Sequence, residues 1–161
     1  MDPINIAVVS TATIAKDKVI PALHAVASTT IVGVSSRNKE RAAAFAAENN
    51  IGKGMTHEEV LADETIHAVY VPLPSGVRNS FMKAAMEAGK HVYSEKPHSG
   101  SVSDLKSILA FAQDKGVQFI DATMWYHSNR TKVMEEHLKN LGKVHRVSAS
   151  FTWGRGLVDQ A

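Results

Sequence analysis

Short runs rich in β-branched residues recur along the chain and alternate with longer stretches in which apolar residues have helical spacing. The runs predict five strands, at residues 4–9, 30–35, 67–71, 90–94 and 117–122. The stretches between and after them predict helices at residues 14–26, 38–49, 56–62, 77–88, 103–115 and 130–140. Strands that alternate with helices in this way form βαβ units, so the pattern predicts an α/β fold with a doubly wound parallel sheet.

Polar residues and glycines at the ends of the predicted helices support these boundaries. Asn38 and Ser103 are placed to cap the helices that follow them, and Thr56 to Glu59 has the spacing of a capping box. Gly89 and Gly116 stand where a glycine often terminates a helix.

From Lys143 onward the pattern changes to strict alternation of apolar and polar residues. Val147, Ala149, Phe151 and Trp153 fall on one face of this stretch. The alternation predicts a half-buried strand of antiparallel type. Because a lone strand is not stable, its apolar face needs a covering partner.

The composition narrows the class of protein. The chain has 161 residues, of which 44% are apolar, and 18 basic residues nearly balance 16 acidic ones. The dispersed charge gives no case for nucleic-acid binding, and the absence of cysteine excludes a disulfide framework and a thiolate metal site. The histidines lack metal-site spacing, and no apolar run resembles a signal or a membrane span. We therefore expect a cytoplasmic protein with neither a metal nor a membrane partner.

The turn after the first strand is where a dinucleotide-binding protein carries the pattern G-x-G-x-x-G. This chain has small residues in place of the three glycines: Ser10, Ala12 and Ala15. Small side chains still permit a pyrophosphate to approach the backbone, and the hydroxyls of Ser10, Thr11 and Thr13 add donors. An ordinary strand-to-helix turn is the alternative interpretation.

The end of the second strand is where an acidic residue would bind the ribose hydroxyls of NAD. Here the sequence is Ser35-Ser36-Arg37-Asn38, without a carboxylate. Hydroxyls followed by a guanidinium suit a 2′-phosphate, which favours NADP over NAD. A solvated arginine at a helix start is the alternative.

Two further loops carry candidate chemistry. Glu95 and Lys96 follow the fourth predicted strand, where Lys96 would polarise a hydroxyl or donate to a carbonyl; the alternative is a surface salt bridge. His98 and His127 are additional candidates for proton transfer. Trp125, with its neighbour Tyr126, would wall a nicotinamide or a substrate ring, and core packing is the alternative.

Several segments together resemble the Gfo/Idh/MocA oxidoreductases, named for glucose-fructose oxidoreductase, inositol dehydrogenase and a rhizopine-catabolism protein. The most specific is Ala88-Gly-Lys-His-Val-Tyr-Ser-Glu-Lys-Pro97, which is nearly the family's A-G-K-H-V-x-x-E-K-P signature. The other matching segments are 10–15 with 18–23, 36–37 with the Ala-rich helix, and 62–74. Residues 121–127 are similar to the sugar and dihydrodiol dehydrogenase branch.

The resemblance implies a Rossmann-type domain and a role for each matching loop. The first turn would lie under the pyrophosphate, through Ser10, Thr11, Ala12, Thr13 and Ile14. The adenosine end would be held by Ser36 and Arg37, with NADP preferred and NAD possible. The nicotinamide end would be lined by Pro72, Leu73, Pro74, Glu95, Lys96 and Trp125. Lys96 would be the catalytic lysine, and the substrate would be a sugar, polyol or diol that exchanges a hydride with the cofactor.

The resemblance also implies what lies beyond the cofactor half. Family members are about twice as long, and their second half supplies substrate contacts. We therefore expect a dinucleotide-binding domain at residues 1–122, with residues 123–161 forming a connecting helix and the first strand of a second domain. Homo-oligomer formation through the 144–153 strand is one way to cover that strand.

Three hypotheses for the function follow. The first is an NADP-dependent oxidoreductase represented by its cofactor-binding half, with little or no turnover by this chain alone. The others are a non-catalytic dinucleotide-binding or regulatory module and an inactive fragment of a longer enzyme. Two residues depart from the family pattern: Ser75 and Arg78 stand where asparagine and histidine are usual.

Overall fold

The computed structural model describes residues 3–97, 101–150 and 152. Six parallel strands form a single sheet in the order β3-β2-β1-β4-β5-β6. The strands are β1 Ile4–Val9, β2 Thr29–Ser35, β3 Gly54–Met55, β4 Ala68–Val71, β5 His91–Ser94 and β6 Phe119–Asp121. The predicted doubly wound parallel sheet is therefore confirmed, and the strand order is that of the Rossmann fold.

Helices connect the strands. A π-helical turn at Ala15–Val19 leads into α1, and the α-helices are α1 Ile20–His24, α2 Lys39–Glu48, α3 His57–Ala62, α4 Ser75–Glu87, α5 Val102–Asp114 and α6 Asn129–Leu138. The predicted helix at residues 14–26 is thus divided in two. Pro21 lies in the first turn of α1, where its missing N–H costs little.

The sheet has its topological switch between β1 and β4. From β1 the chain proceeds outward to β2 and β3, and it then returns to the other side of β1 to form β4. The connections on the two sides of this point diverge, which opens a crevice beyond the carboxyl ends of the strands. The fold therefore directs any ligand to the loops after β1, β2 and β4.

Apolar side chains cover both faces of the sheet. In β1, Val8 packs in one buried cluster and Val9 in the other, and neither is accessible to solvent. One cluster includes Val69, Met82 and Ile108. Burial on both faces explains why the strands are continuous β-branched runs rather than alternating sequences.

The two-residue strand β3 is absent from the sequence-based prediction. It contains no β-branched residue, and it exists because Gly54 and Met55 pair with the edge of β2. Glycine is required there by a close approach: a Cβ on Gly54 would lie 2.2 Å from the backbone nitrogen of Ala43 in α2. Such a contact depends on tertiary packing, so hydrophobic periodicity gives no signal for it.

Most of the predicted helix ends are confirmed. The side chain of Asn38 accepts a hydrogen bond from the Arg41 backbone N–H at 2.6 Å, and both bonds of the capping box between Thr56 and Glu59 are present. Gly89 and Gly116 have the positive φ of terminating glycines.

The predicted cap at Ser103 is wrong. Ser101 caps α5 instead, by accepting a hydrogen bond from the Asp104 backbone N–H at 3.1 Å. Both serines have the chemistry of a cap, and the observed cap lies two residues before the predicted one.

The chain divides into two compact units, Met1–Thr123 and Met124–Ala161. The second unit contains α6, and the predicted 144–153 strand is wrong in its described part. Residues 144–150 are exposed and have no regular structure, because no described strand pairs with them. Phe151 and Trp153 lie outside the described residues. None of the helices in the described part of the chain has the length and apolar character needed to cross a bilayer.

Candidate functional site

A cavity of about 710 Å³ lies beyond the carboxyl ends of β1, β2 and β4. It is lined by residues of four segments: Ser10, Thr11, Ser36, Arg37, Arg41, His57, Glu58, Leu61, Leu73, Pro74, Gly76, Val77, Ser80 and Phe81. The structure thereby brings together predicted residues from the first turn, the end of β2 and the loop after β4. The cavity occupies the switch point of the sheet, where α/β folds of this type bind ligands.

The turn after β1 has an unusual backbone at its first residue. Ser10 has φ of 135°, a conformation that glycine adopts freely and other residues rarely do. Ser10 and Thr11 line the cavity, whereas Ala12, Thr13 and Ile14 do not. Ala12 has a structural role instead, because its carbonyl accepts hydrogen bonds from the backbone N–H groups of Ala15 and Lys16 at the start of the following helical turn.

The end of β2 supplies the cationic side of the cavity. Ser36 and Arg37 both line it, as predicted residues, and Arg41 joins them from the first turn of α2. The sequence reasoning missed Arg41. A second arginine soon after Arg37, in the first turn of the predicted helix, was the available signal.

His57 and Glu58 complete this side of the cavity, and the sequence analysis missed both. The Nδ1 atom of His57 lies 2.9 Å from the buried hydroxyl of Ser35, and its ring meets that of Phe81 edge-on with centroids 5.4 Å apart. Burial lowers the pKa of His57, Glu58 opposes that shift, and Arg37 reinforces it. His57 follows the unpredicted strand β3, so the sequence did not indicate where its side chain would lie.

The loop after β4 forms the opposite wall. Leu73 and Pro74 line the cavity, whereas Pro72 does not. The first turns of α4 continue this wall with Val77 and Ser80.

Glu95 and Lys96 follow β5 as predicted, but neither lines the cavity. The carboxylate of Glu95 accepts a hydrogen bond from the hydroxyl of Tyr70 at 2.8 Å and one from the Lys96 backbone N–H at 3.2 Å. Burial and the neighbouring Glu95 carboxylate both raise the pKa of Tyr70, which therefore remains a neutral donor. The Lys96 side chain is exposed.

Arg78 joins the loops after β4 and β5. The residue is 5% exposed, and its Nε donates to the Leu73 carbonyl at 2.7 Å. Its terminal nitrogens donate to the carbonyls of Leu73, Glu95 and Pro97. Arg78, one of the two departures from the family pattern, therefore connects the loop after β4 to the loop after β5 through hydrogen bonds.

The remaining predicted residues are placed as follows. Trp125 belongs to the second unit, where its ring meets that of Tyr126 with centroids 6.2 Å apart. A role for Trp125 in binding stays a prediction, as does proton transfer by His127. His98 lies outside the described residues.

The groups that line the cavity fit a phosphate-bearing ligand. The hydroxyls of Ser10, Thr11 and Ser36 can donate hydrogen bonds to phosphate oxygens. The two positive charges of Arg37 and Arg41 outnumber the single negative charge of Glu58, which favours an anionic ligand. Within the described residues, no group of three or more histidine or acidic side chains is arranged to hold a metal ion.

Comparisons with known proteins identify the family of this domain. Residues 4–122 match the family model GFO_IDH_MocA, described as an oxidoreductase family with an NAD-binding Rossmann fold. D-xylose 1-dehydrogenase (NADP(+)) 2 of Haloferax volcanii is 32% identical over 148 residues, which are 91% of this chain and 45% of that protein. The 1,5-anhydro-D-fructose reductase of Ensifer adhaerens is 37% identical over 110 residues, which are 68% of this chain and 33% of that protein.

Solved structures show the same relationship. The 3-ketoreductase KijD10 of Actinomadura kijaniata, in complex with NADP and TDP-benzene, superposes with a TM-score of 0.81 at 28% identity. The match covers 86% of this chain and 43% of KijD10, so the chain spans less than half the length of this relative. The fold, the strand order and the family match agree, and this chain belongs to the Gfo/Idh/MocA oxidoreductase family through its NAD-binding Rossmann domain.

Proposed function

We propose that this chain binds NADP(H) in the cavity beyond the carboxyl ends of β1, β2 and β4. One observation carries the proposal: Arg37 and Arg41 line the cavity beside Ser36, at the strand end where an NAD-binding protein presents an acidic residue. Two guanidinium groups and a hydroxyl suit the dianionic 2′-phosphate that distinguishes NADP from NAD. Two relatives support the same cofactor: the name of the Haloferax enzyme includes NADP(+), and the KijD10 structure contains NADP.

Each segment of the cavity has a distinct task in this proposal. Ser10 and Thr11 hold the pyrophosphate with hydroxyl and backbone donors at the first turn. Leu73 and Pro74 form an apolar wall that restricts water on the nicotinamide side. A bound nicotinamide cofactor supplies the hydride chemistry, and the protein orients it.

We further propose that the complete reaction is the oxidation or reduction of a sugar, polyol or diol. The relatives named above act on D-xylose and on 1,5-anhydro-D-fructose, which supports a carbohydrate-like substrate. Lys96 is the proposed catalytic residue, since its exposed ammonium follows β5 and is free to donate to a substrate oxygen. Its backbone is held by the contacts of Glu95.

Calorimetric titration of the chain with NADPH and, separately, with NADH tests the cofactor proposal. We expect micromolar NADPH binding and NADH binding weaker by at least about tenfold, because charge-assisted bonds to the 2′-phosphate contribute roughly 1.5–3 kcal/mol. Equal affinity for the two cofactors would contradict the assignment of the adenosine end. No binding of either would refute the proposal for this cavity.

Arg37→Met provides the sharper test of the same assignment. We expect it to weaken NADPH binding by about tenfold or more while NADH binding changes little. Lys106→Met is the matched control, because Lys106 is an exposed cation on α5 that does not line the cavity. A loss of NADPH affinity in both variants would indicate only a nonspecific effect of net charge.

A further inference from the structure

Arg78 is a buried cation whose hydrogen-bond partners are main-chain carbonyls of two different loops. The Leu73 carbonyl belongs to the loop after β4, whose Leu73 and Pro74 line the cavity. The carbonyls of Glu95 and Pro97 belong to the loop after β5 and flank Lys96 on either side. One side chain therefore connects the cavity wall to the backbone that carries Lys96.

Hydrogen bonds to β4 residues also hold the backbone next to Lys96. The Glu95 backbone N–H donates to the Val71 carbonyl at 3.3 Å, which extends the β4–β5 ladder by one bond. The Tyr70 hydroxyl fixes the Glu95 side chain at 2.8 Å. The Arg78 guanidinium, from α4, adds bonds to carbonyls of both loops.

The geometry of these contacts requires arginine. A guanidinium presents five N–H donors that point outward in one plane, so it can bond carbonyls on opposite sides of the group at once. A lysine ammonium is a single nitrogen, and a histidine ring presents only two nitrogens at fixed positions. Here Nε and Nη2 bond the Leu73 carbonyl, while Nη1 alone bonds those of Glu95 and Pro97. A single ammonium nitrogen can therefore replace the bonds on one side of the guanidinium but not those on both sides.

We propose that Arg78 is a positioning residue for Lys96, which sets the place of the Lys96 backbone relative to the Leu73–Pro74 wall of the cavity. It does so through the carbonyls of Glu95 and Pro97. The importance of this placement for catalysis rests on the proposed function, whereas the coupling between the two loops is a property of the fold. The two are therefore tested by separate measurements.

The first measurement is amide hydrogen exchange of the full chain, followed by NMR. In Arg78→Ala we expect exchange of the Lys96 amide to accelerate by about tenfold or more, because its loop loses two carbonyl anchors. Guanidinium ion at about 10 mM should restore protection in this variant by refilling the space. Lys90→Met is the matched control, since Lys90 is also a buried cation bonded to main-chain carbonyls, those of Asp63 and Ile66.

The second measurement asks whether the cavity and Lys96 are coupled. NADPH added to the wild-type chain should shift the amide resonances of Ser10, Leu73 and Lys96. In Arg78→Ala and Arg78→Lys the shift at Ser10 persists, while the shift transmitted to Lys96 is lost. A residue that only stabilised the fold would change both shifts or neither.

The outcomes separate the two proposals. Absence of any shift at Ser10 in the wild-type chain refutes the cofactor site and leaves the exchange test of Arg78 intact. Unchanged Lys96 exchange in folded Arg78→Ala refutes the positioning role, whatever the cofactor does. If Arg78→Ala does not fold, Arg78→Lys decides through the second measurement, because one ammonium cannot bond both loops. A wild-type shift at Lys96 in that variant overturns the proposal.

Discussion

At each end of the β4–β5 pair, a buried cation donates hydrogen bonds to main-chain carbonyls, but the two cations have different roles. At the amino end, Lys90 is 2% exposed and its ammonium donates to the carbonyls of Asp63 at 2.7 Å and Ile66 at 3.1 Å. At the carboxyl end, Arg78 is 5% exposed and donates to carbonyls as well. The carbonyls at Lys90 belong to one turn, whereas those at Arg78 belong to two loops. One cation closes a turn, and the other sets a distance between segments of the proposed site.

Nearby negative charge compensates both buried cations without a direct carboxylate bond. Burial lowers the pKa of Lys90, and Asp63 and Glu64 oppose that shift. Burial also lowers the pKa of Arg78, and there the Glu95 carboxylate provides the main opposing influence. A cation bonded to carbonyls leaves those acceptors unsatisfied when it is removed, which is why each is sensitive to substitution.

Lys90→Met gives the largest expected effect on stability. The variant leaves the buried Ile66 carbonyl without its donor, which costs about 1–3 kcal/mol, whereas the Asp63 carbonyl keeps its bond from the Ile66 backbone N–H. We expect the free energy of unfolding to fall by about 1–3 kcal/mol in chemical denaturation, with NADPH affinity unchanged in calorimetry. Arg78→Ala should instead disturb the response of Lys96 to NADPH. The assignment of a purely structural role to Lys90 and a positioning role to Arg78 is contradicted if Lys90→Met weakens NADPH binding while Arg78→Ala leaves the response of Lys96 to NADPH unchanged.

This comparison shows how far the sequence predicts the molecule. The segment from Ala88 to Pro97 was the most specific signal, and it contains both Lys90 and Lys96. The structure separates their tasks, because β5 lies between them and places them at opposite ends of the sheet. A motif identifies residues that belong together in sequence, but it does not distinguish a residue that holds the fold from one that belongs to the site.

Local signals predicted the elements well where their causes are local. The β-branched runs, the Asn38 cap and the terminating glycines depend on neighbouring residues, and the structure confirms them. The position of His57 depends on a contact with Ser35, 22 residues away, and that of Arg78 on contacts with Glu95 and Pro97, 17 and 19 residues away. Hydrophobic periodicity does not report such contacts. The predicted strand at 144–153 is wrong in its described part for the same reason, because alternation specifies a face and does not supply the neighbouring strand.

Ser10→Gly tests strain at the carboxyl end of the sheet and has a smaller expected effect. The φ of 135° at Ser10 costs roughly 1–3 kcal/mol for a residue with a Cβ, and glycine removes that cost while adding roughly 0.5–1 kcal/mol of chain entropy. We expect a gain of about 1 kcal/mol in the free energy of unfolding, together with weaker NADPH binding because the hydroxyl is lost.

Asn50→Gly is the matched control for this strain. Asn50 has φ of 54° at the end of α2, a left-handed conformation that asparagine tolerates, so the change should remain within about 0.5 kcal/mol. Equal gains from Ser10→Gly and Asn50→Gly would show that the first turn carries no special strain. A loss of stability in Ser10→Gly would contradict the prediction outright.

His57→Asn has the smallest expected effect and tests the electrostatics of the cavity. Burial lowers the pKa of His57 below its ordinary value of 6.5, so protonation is disfavoured in the folded chain. As the pH falls below about 6.5, the unfolded chain takes up a proton that the folded chain does not, and the free energy of unfolding decreases. The decrease stops growing below the pKa of the folded state, where both states are protonated.

The asparagine variant cannot titrate, so its stability should fall less than that of the wild-type chain between about pH 7.5 and 5.5. Thermal unfolding at a series of pH values measures this difference. Arg37 reinforces the lowered pKa of His57, so Arg37→Met should reduce the difference by removing a repelling charge. Parallel profiles of wild type and His57→Asn would show that His57 titrates alike in both states. In that case the opposing influence of Glu58 on the pKa of His57 would balance those of burial and Arg37, and this side of the cavity would add nothing to the pH dependence of stability.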